Sequence, residues 1–193
     1  MKRSLINTVK ILLFTAGFMC AVWYFLPWGE LGKFAMSAAS SRLSSRGMRI
    51  GWSDVSGEQD GFTVHNFTMN GMANITLSSL TLRPRILASI LSLAPVCDIS
   101  FRGGNVQLGF VINIGDGSVL LTAARNGEVL MENLRTTGDF AVNGYMRVNP
   151  SAMRIVQANA RLRVPESFEQ NLDMIKNFVP LVQEGDNWYI RRE

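Results

Sequence analysis

NVQLGFVINI, residues 105–114, alternates between two kinds of side chain. Val106, Leu108, Phe110, Ile112 and Ile114 share one side, and Gln107, Gly109, Val111 and Asn113 share the other. A period of two marks a β-strand with one buried face. The pattern returns near the C-terminus. There Val156, Ala158, Ala160, Leu162 and Val164 oppose Gln157, Asn159, Arg161 and Arg163. Turn pairs punctuate the chain around these stretches: Asp60-Gly61, Asn70-Gly71, Gly103-Gly104, Asp116-Gly117, Asn126-Gly127, Gly138-Asp139 and Asn143-Gly144. Several recur at the hairpin spacing of an antiparallel meander. The predicted strands are residues 49–55, 62–69, 73–82, 96–102, 105–114, 118–125, 128–135, 139–148 and 152–164, with a closing strand at 187–192 that contains Trp188 and Tyr189. Within 73–82 the phase slips: Ile75 and Leu77 face one way, then Leu80 and Leu82 restart after Ser78-Ser79. An extra residue there would make a β-bulge.

A sheet with one apolar face has to be covered. Two segments read as short helices able to do it. Residues 84–93, PRILASILSL, open on a proline, which a first helical turn accepts, and stop before Pro95. Residues 166–179 carry an apolar stripe of Phe168, Leu172, Ile175, Phe178 and Val179, with Glu166 and Glu169 near the positive end of the helix dipole. The expected fold is mainly β: an antiparallel curved sheet or meander with two short covering helices, plus one N-terminal transmembrane helix.

That helix is the strongest single feature. Residues 11–29, ILLFTAGFMCAVWYFLPWG, contain no charge. At about 1.5 Å per residue the run spans roughly 28 Å, close to the hydrocarbon thickness of a bilayer. Trp23, Tyr24 and Trp28 gather at its far end, where amphipathic rings favour the membrane interface. Lys2, Arg3 and Lys10 precede it, which keeps the N-terminus in the cytoplasm. A cleaved signal peptide shares the basic start, but its small-residue cleavage site is missing after the run. A lipoprotein box at Cys20 conflicts with the bulk of Phe18 and Met19. A buried helix of a soluble protein would leave the flanking charges unexplained. The expected organisation is a cytoplasmic tail at 1–10, a transmembrane helix at 11–28, a juxtamembrane helix at 29–47 ended by Gly47, and an exported β-rich domain at 48–193. Cys20 and Cys97 are placed apart by this arrangement, so no intrachain disulfide is expected.

The net charge of +4 invites a nucleic-acid reading, but +3 of it lies in the first ten residues. The remaining chain carries +1 and has no basic stripe for a phosphate backbone. Motifs of chemistry are equally scarce. The single histidine, His65, lies on a strand, where a structural role is expected. No Cys/His spacing suits a metal, and no phosphate loop, dinucleotide fingerprint or nucleophile elbow occurs. Asp54, Glu58, Asp60, Asp116 and Asp139 fall at predicted turns, which accounts for them. Asn66 and Asn74 open short glycosylation-like triplets, which arise by chance. Neither a catalytic, a cofactor-binding nor a metal residue is nominated, and no enzyme activity is expected. What remains is interaction: strand addition at a sheet edge, acyl chains held along the apolar face, or a plain core beneath the helices.

The order of elements resembles a known family. An anchor and a polar helix lead to GMRI (residues 47–50), then to FTVHNFTMNG (62–71) and ANITLSSLTLRPRILASILSL (73–93). VCDISFRGGNVQLGF (96–110), NGYMRVNP (143–150) and NWYIRR (187–192) come next. The chain resembles the type II secretion system protein N family, itself similar to AsmA-like envelope proteins. The resemblance implies a single-pass protein of a bacterial inner membrane with a periplasmic domain. Its partners would be other secretion-system proteins and, through residues 11–28, the bilayer. It implies no catalytic residues and no cofactor. A lipid-binding or lipid-transfer protein of the AsmA-like kind, with an acyl-chain ligand, is the alternative.

Overall fold

The computed structural model describes residues 2–192 apart from 46, 72, 108–110, 125, 153, 166–179 and 185–186. The predicted helix at 166–179 therefore lies outside the described residues, as do Leu108, Gly109 and Phe110. The chain opens with α1 (Lys2–Tyr24), which contains an apolar span at Asn7–Tyr24 long enough to cross a membrane. None of that span is buried against the rest of the protein. The helix stops four residues short of the expected end at 28. Leu26-Pro27 breaks it, because proline disfavours helical backbone in the residue before it. Trp28 instead begins α2 (Trp28–Ser44) and is buried there.

Ten of the eleven strands line up as one open antiparallel sheet, ordered β1-β3-β4-β5-β6-β7-β8-β9-β11-β10, with β2 also paired to β3. The strands are β1 (Arg49–Gly51), β2 (Asp54–Gly57), β3 (Phe62–Asn70), β4 (Asn74–Pro84), β5 (Val96–Gln107), β6 (Val111–Ala123), β7 (Val129–Thr136), β8 (Ala141–Asn149), β9 (Arg154–Arg163), β10 (Leu181–Glu184) and β11 (Asn187–Arg192). β1 and β2 keep one register along β3, from Arg49↔Asn70 to Gly57↔Phe62, so they act as a single edge strand. The meander is thus as expected, with β10 as an unforeseen final edge.

The stretch 105–114 is not one strand. Gln107 pairs with Val111 and Val106 with Ile112, so its two ends belong to β5 and β6. The side assignment survives because partners in an antiparallel pair share a face. Val106, Ile112 and Ile114 do lie together, around Ile112, Phe140 and Leu162. Conversely, Gly103-Gly104 and Asp116-Gly117 are not hairpin turns but lie inside β5 and β6. Gly103 (φ +59°) and Gly115 (φ +58°) take the left-handed conformation at shifts of register between those strands. Glycine supplies such a bulge as readily as it supplies a turn.

The phase slip foreseen in β4 has the same origin. β4 stays in unbroken register with β3, from Phe62↔Leu82 to Met69↔Ile75, so it carries no extra residue. The irregularity lies in its neighbours. Asn66 in β3 (φ +49°), Gly103 and Gly115 form a seam across the sheet at that level. Val64 and Phe67, three residues apart, would face opposite ways in a regular strand. With Asn66 between them, both join one core with Met36, Val55 and Phe62.

α2 covers that core. Trp28, Gly32 and Met36 are four residues apart, form one helical stripe and are its buried residues. The fit is close: a Cβ added at Gly32 would lie 2.6 Å from the Phe62 ring and 2.8 Å from Val55 Cγ1. α2 starts beside Gly57 and its C-terminus leads into β1, so it runs along the length of the β1–β2 edge. The helix predicted at 84–93 forms as α3 (Ile86–Ser92), but it does not cover the sheet, and none of its residues is buried. Seven residues hold only two turns, and the Ser89 hydroxyl rather than a leucine faces the strand it joins.

Candidate functional site

The face of the sheet opposite α2 is polar. Register places Thr63 beside Thr81, Thr81 beside Ser100, Ser100 beside Ser118 and Ser118 beside Arg135. This row crosses five strands, β3 to β7. Beside it runs a shorter row, His65, Ser79 and Arg102. Together they floor a cleft of about 570 Å³ that also takes in Glu58, Arg83, Asp116 and Thr137.

Glu58 organises one end. Its carboxylate accepts the Thr63 hydroxyl at 2.5 Å and the Arg83 guanidinium at 2.6 Å. Arg83 also reaches Asp60 at 3.1 Å. Thr63 has a single hydroxyl proton and gives it to Glu58. The 2.8 Å contact between Thr63 and Thr81 must therefore use the Thr81 proton. The Thr63 hydrogen bond first, and then Arg83, hold Glu58 below the usual carboxylate range. Arg83 is pushed up in turn, chiefly by its hydrogen bond to Glu58. Arg102 and Arg135 also line the cleft, and neither forms an ion pair with a described residue.

His65 sits within this polar face, with Nε2 3.1 Å from Ser56 Oγ. A serine beside a histidine suggests a nucleophile and its base, but the pair lacks an orienting acid among the described residues. Asp54 is the cross-strand neighbour of His65, yet no hydrogen bond joins them. Ser56 also contacts the Thr63 carbonyl at 3.5 Å, so the contact belongs to the strand ladder. The acids assigned to turns divide. Glu58 and Asp60 lie in the β2–β3 turn and Asp139 in the β7–β8 connection, whereas Asp54 and Asp116 lie within strands. Asp116 accepts the Gly103 N–H at 3.0 Å and so fastens the bulge. No group of three or more His, Cys, Asp or Glu suited to a metal occurs among the described residues. Cys97 is half-buried in β5, and burial pushes its thiol pKa up.

The hydroxyl row was not anticipated, although the sequence carries a signal for it. Thr63, Thr81, Ser100 and Ser118 recur every 18 or 19 residues, the step from one strand to the next in this part of the meander. The cleft suits polar ligands or a polar protein surface. Its hydroxyls, arginines and carboxylates are a poor lining for an acyl chain, which gains free energy from alkyl contact.

These features define a class: an open antiparallel sheet, without an assembled catalytic centre among the described residues, joined to a helix that could span a membrane. The family model described as type II secretion system protein GspN-like, Synergistales, matches residues 6–192. The chain belongs to this GspN-like family of type II secretion proteins. No curated protein and no solved structure matches it.

Proposed function

We propose that the chain is an accessory component of a type II protein secretion system, anchored in the inner membrane by α1 and acting by protein–protein interaction in the periplasm. The family match over residues 6–192 carries this reading. Three further features support it. Lys2, Arg3 and Lys10 precede the uncharged run that begins at Ile11, the arrangement that retains an N-terminus in the cytoplasm. The polar face offers a broad, hydrogen-bonding surface, and its Arg102 and Arg135 have no ion-pair partner among the described residues, which suits a protein partner. The sheet is open among the described residues, and an exposed sheet edge can accept a strand from a partner. The protein is not an enzyme in this reading.

Deletion of the gene should abolish or reduce release of type II substrates, and the intact gene should restore it. Unchanged secretion of every substrate would sink the proposal. Alkaline phosphatase fused after Glu193 should be active, since that enzyme matures only outside the cytoplasm; an inactive but stable fusion would reverse the orientation.

A further inference from the structure

α3 is built inside out. Leu87 is 78% exposed, Ile90 61%, Leu91 85% and Leu93 68%. Its Ser89 side chain turns inward instead. Ser89 Oγ accepts the Val96 N–H at 2.8 Å and donates to the Arg85 carbonyl at 2.7 Å, which pins the helix to the start of β5. Ser92 Oγ donates to the Ala88 carbonyl at 2.6 Å. The helix ends on Leu93 with φ +52°, a left-handed cap where glycine is the ordinary residue. A leucine held in that conformation and exposed costs both backbone and hydration free energy. The Leu93 and Ala94 N–H groups cap the Ile90 and Ser89 carbonyls, which offsets the backbone cost but not the exposure of the leucines.

Its position supplies a reason. α1 gives way to α2 at Leu26-Pro27, and the first turn of α2 sits against the sheet at Gly57, since a Cβ added at Gly29 would lie 3.2 Å from the Gly57 nitrogen. Gly57 pairs with Phe62, and Phe62 pairs with Leu82. The joint between α1 and α2 and the end of β4 therefore stand at one level of the sheet. β4 continues past that level to Pro84, and α3 begins at Ile86. With strands about 4.8 Å apart and about 3.3 Å per residue, α3 starts roughly 10 Å to the side of the joint and roughly 10 Å beyond it. It projects from the same end of the domain as α1.

We propose that α3 dips into the bilayer that α1 crosses, so that the domain meets the membrane at two points. The inference rests on the reading of α1 as a membrane span. Leu87, Ile90, Leu91 and Leu93 enter the acyl-chain boundary, and Ser89 remains with the protein. The contact is apolar rather than electrostatic. Arg83 is paired with Glu58 and Asp60, and Arg85 with Asp98, which leaves no cationic surplus around the helix for anionic headgroups. Two contacts fix the tilt of the sheet against the membrane more fully than the single joint at Pro27 can.

The test uses the unmodified full chain in phosphatidylcholine vesicles that contain a phosphatidylcholine with a photoactivatable acyl chain. After irradiation, trypsin should release two lipid-modified peptides, residues 11–33 from α1 and residues 86–102 carrying α3. The β8 peptide, residues 136–147, should stay unmodified. High salt should leave this pattern unchanged. A combined Leu87→Ser, Ile90→Ser, Leu91→Ser variant, altered only at exposed positions, should lose the adducts on 86–102 and keep those on 11–33. Adducts confined to 11–33 in the unmodified chain would assign the α3 crest to a protein partner or a second copy and overturn the proposal. Absence of adducts on 11–33 would instead remove the anchor reading beneath it.

Discussion

Glu58 shows how a single side chain can fasten the polar face. Its ionised form is favoured in the fold by Thr63 and Arg83, so its pKa lies below the unfolded value of about 4.3. A carboxylate depressed in this way contributes stability above the unfolded pKa and loses it as pH falls through the folded one. Glu58→Gln should therefore lower stability at pH 7, by about 0.5–1 kcal/mol because the Arg83 pair is partly exposed. The difference between variant and parent should narrow as pH falls below the unfolded value and close once pH is below the folded one, measured as urea midpoints in detergent solution. A difference that did not narrow as pH fell would show that shape, rather than charge, holds the Glu58 site. Gly32 makes the complementary point for packing. Gly32→Val should cost about 1–3 kcal/mol, since its side chain would run into Phe62 and Val55. Valine's better helix propensity, worth a few tenths of a kcal/mol over glycine, would not offset it. A thermal melt of the two proteins checks this.

At the scale of elements, the three described helices differ in what they bury. α1 buries nothing within the protein, α2 roofs the β1–β3 core, and α3 presents its apolar side outward. Met36→Ala, at a site 6% exposed, should cost about 2–3 kcal/mol from lost contact and a residual cavity. Leu91→Ser should change stability in detergent by less than about 0.5 kcal/mol, because that side chain touches little of the fold. Alternating hydrophobicity by itself makes the meander legible, and turn chemistry marks the hairpins at Asp60-Gly61, Asn70-Gly71 and Asn126-Gly127. Three things were not legible. A glycine-containing pair reads the same inside a strand as in a turn, so Gly103-Gly104 and Asp116-Gly117 misplaced two strand boundaries. The covering role passed from the helix predicted at 84–93 to α2, because apolar spacing reports a face but not what it meets. The hydroxyl row depends on cross-strand register, which no single strand reveals.

For the whole molecule, the division between anchor and sheet has a consequence for function. The side chains that join α1 to α2 are Trp23 and Trp28, packed edge-on with ring centroids 4.4 Å apart. An aromatic pair of this kind is worth about 0.5–1.5 kcal/mol. A chain that begins at Trp23 keeps this pair and all of α2 on the sheet. Placed behind a cleavable export signal, it should fold with nearly the same melting temperature as the full chain. Its activity should nevertheless fall. Tethering holds the sheet within reach of membrane-bound partners at an effective concentration in the millimolar range, and a free domain binds them only at its own concentration and intrinsic affinity. Secretion in a deletion strain should therefore be restored by the full chain and only weakly by the released domain, with partial recovery when the domain is overproduced. Full restoration at native expression levels would mean that α1 serves export alone. Loss of folding in the released domain would mean that the bilayer is part of the sheet's stability, and the melting curves separate these two outcomes before secretion is measured.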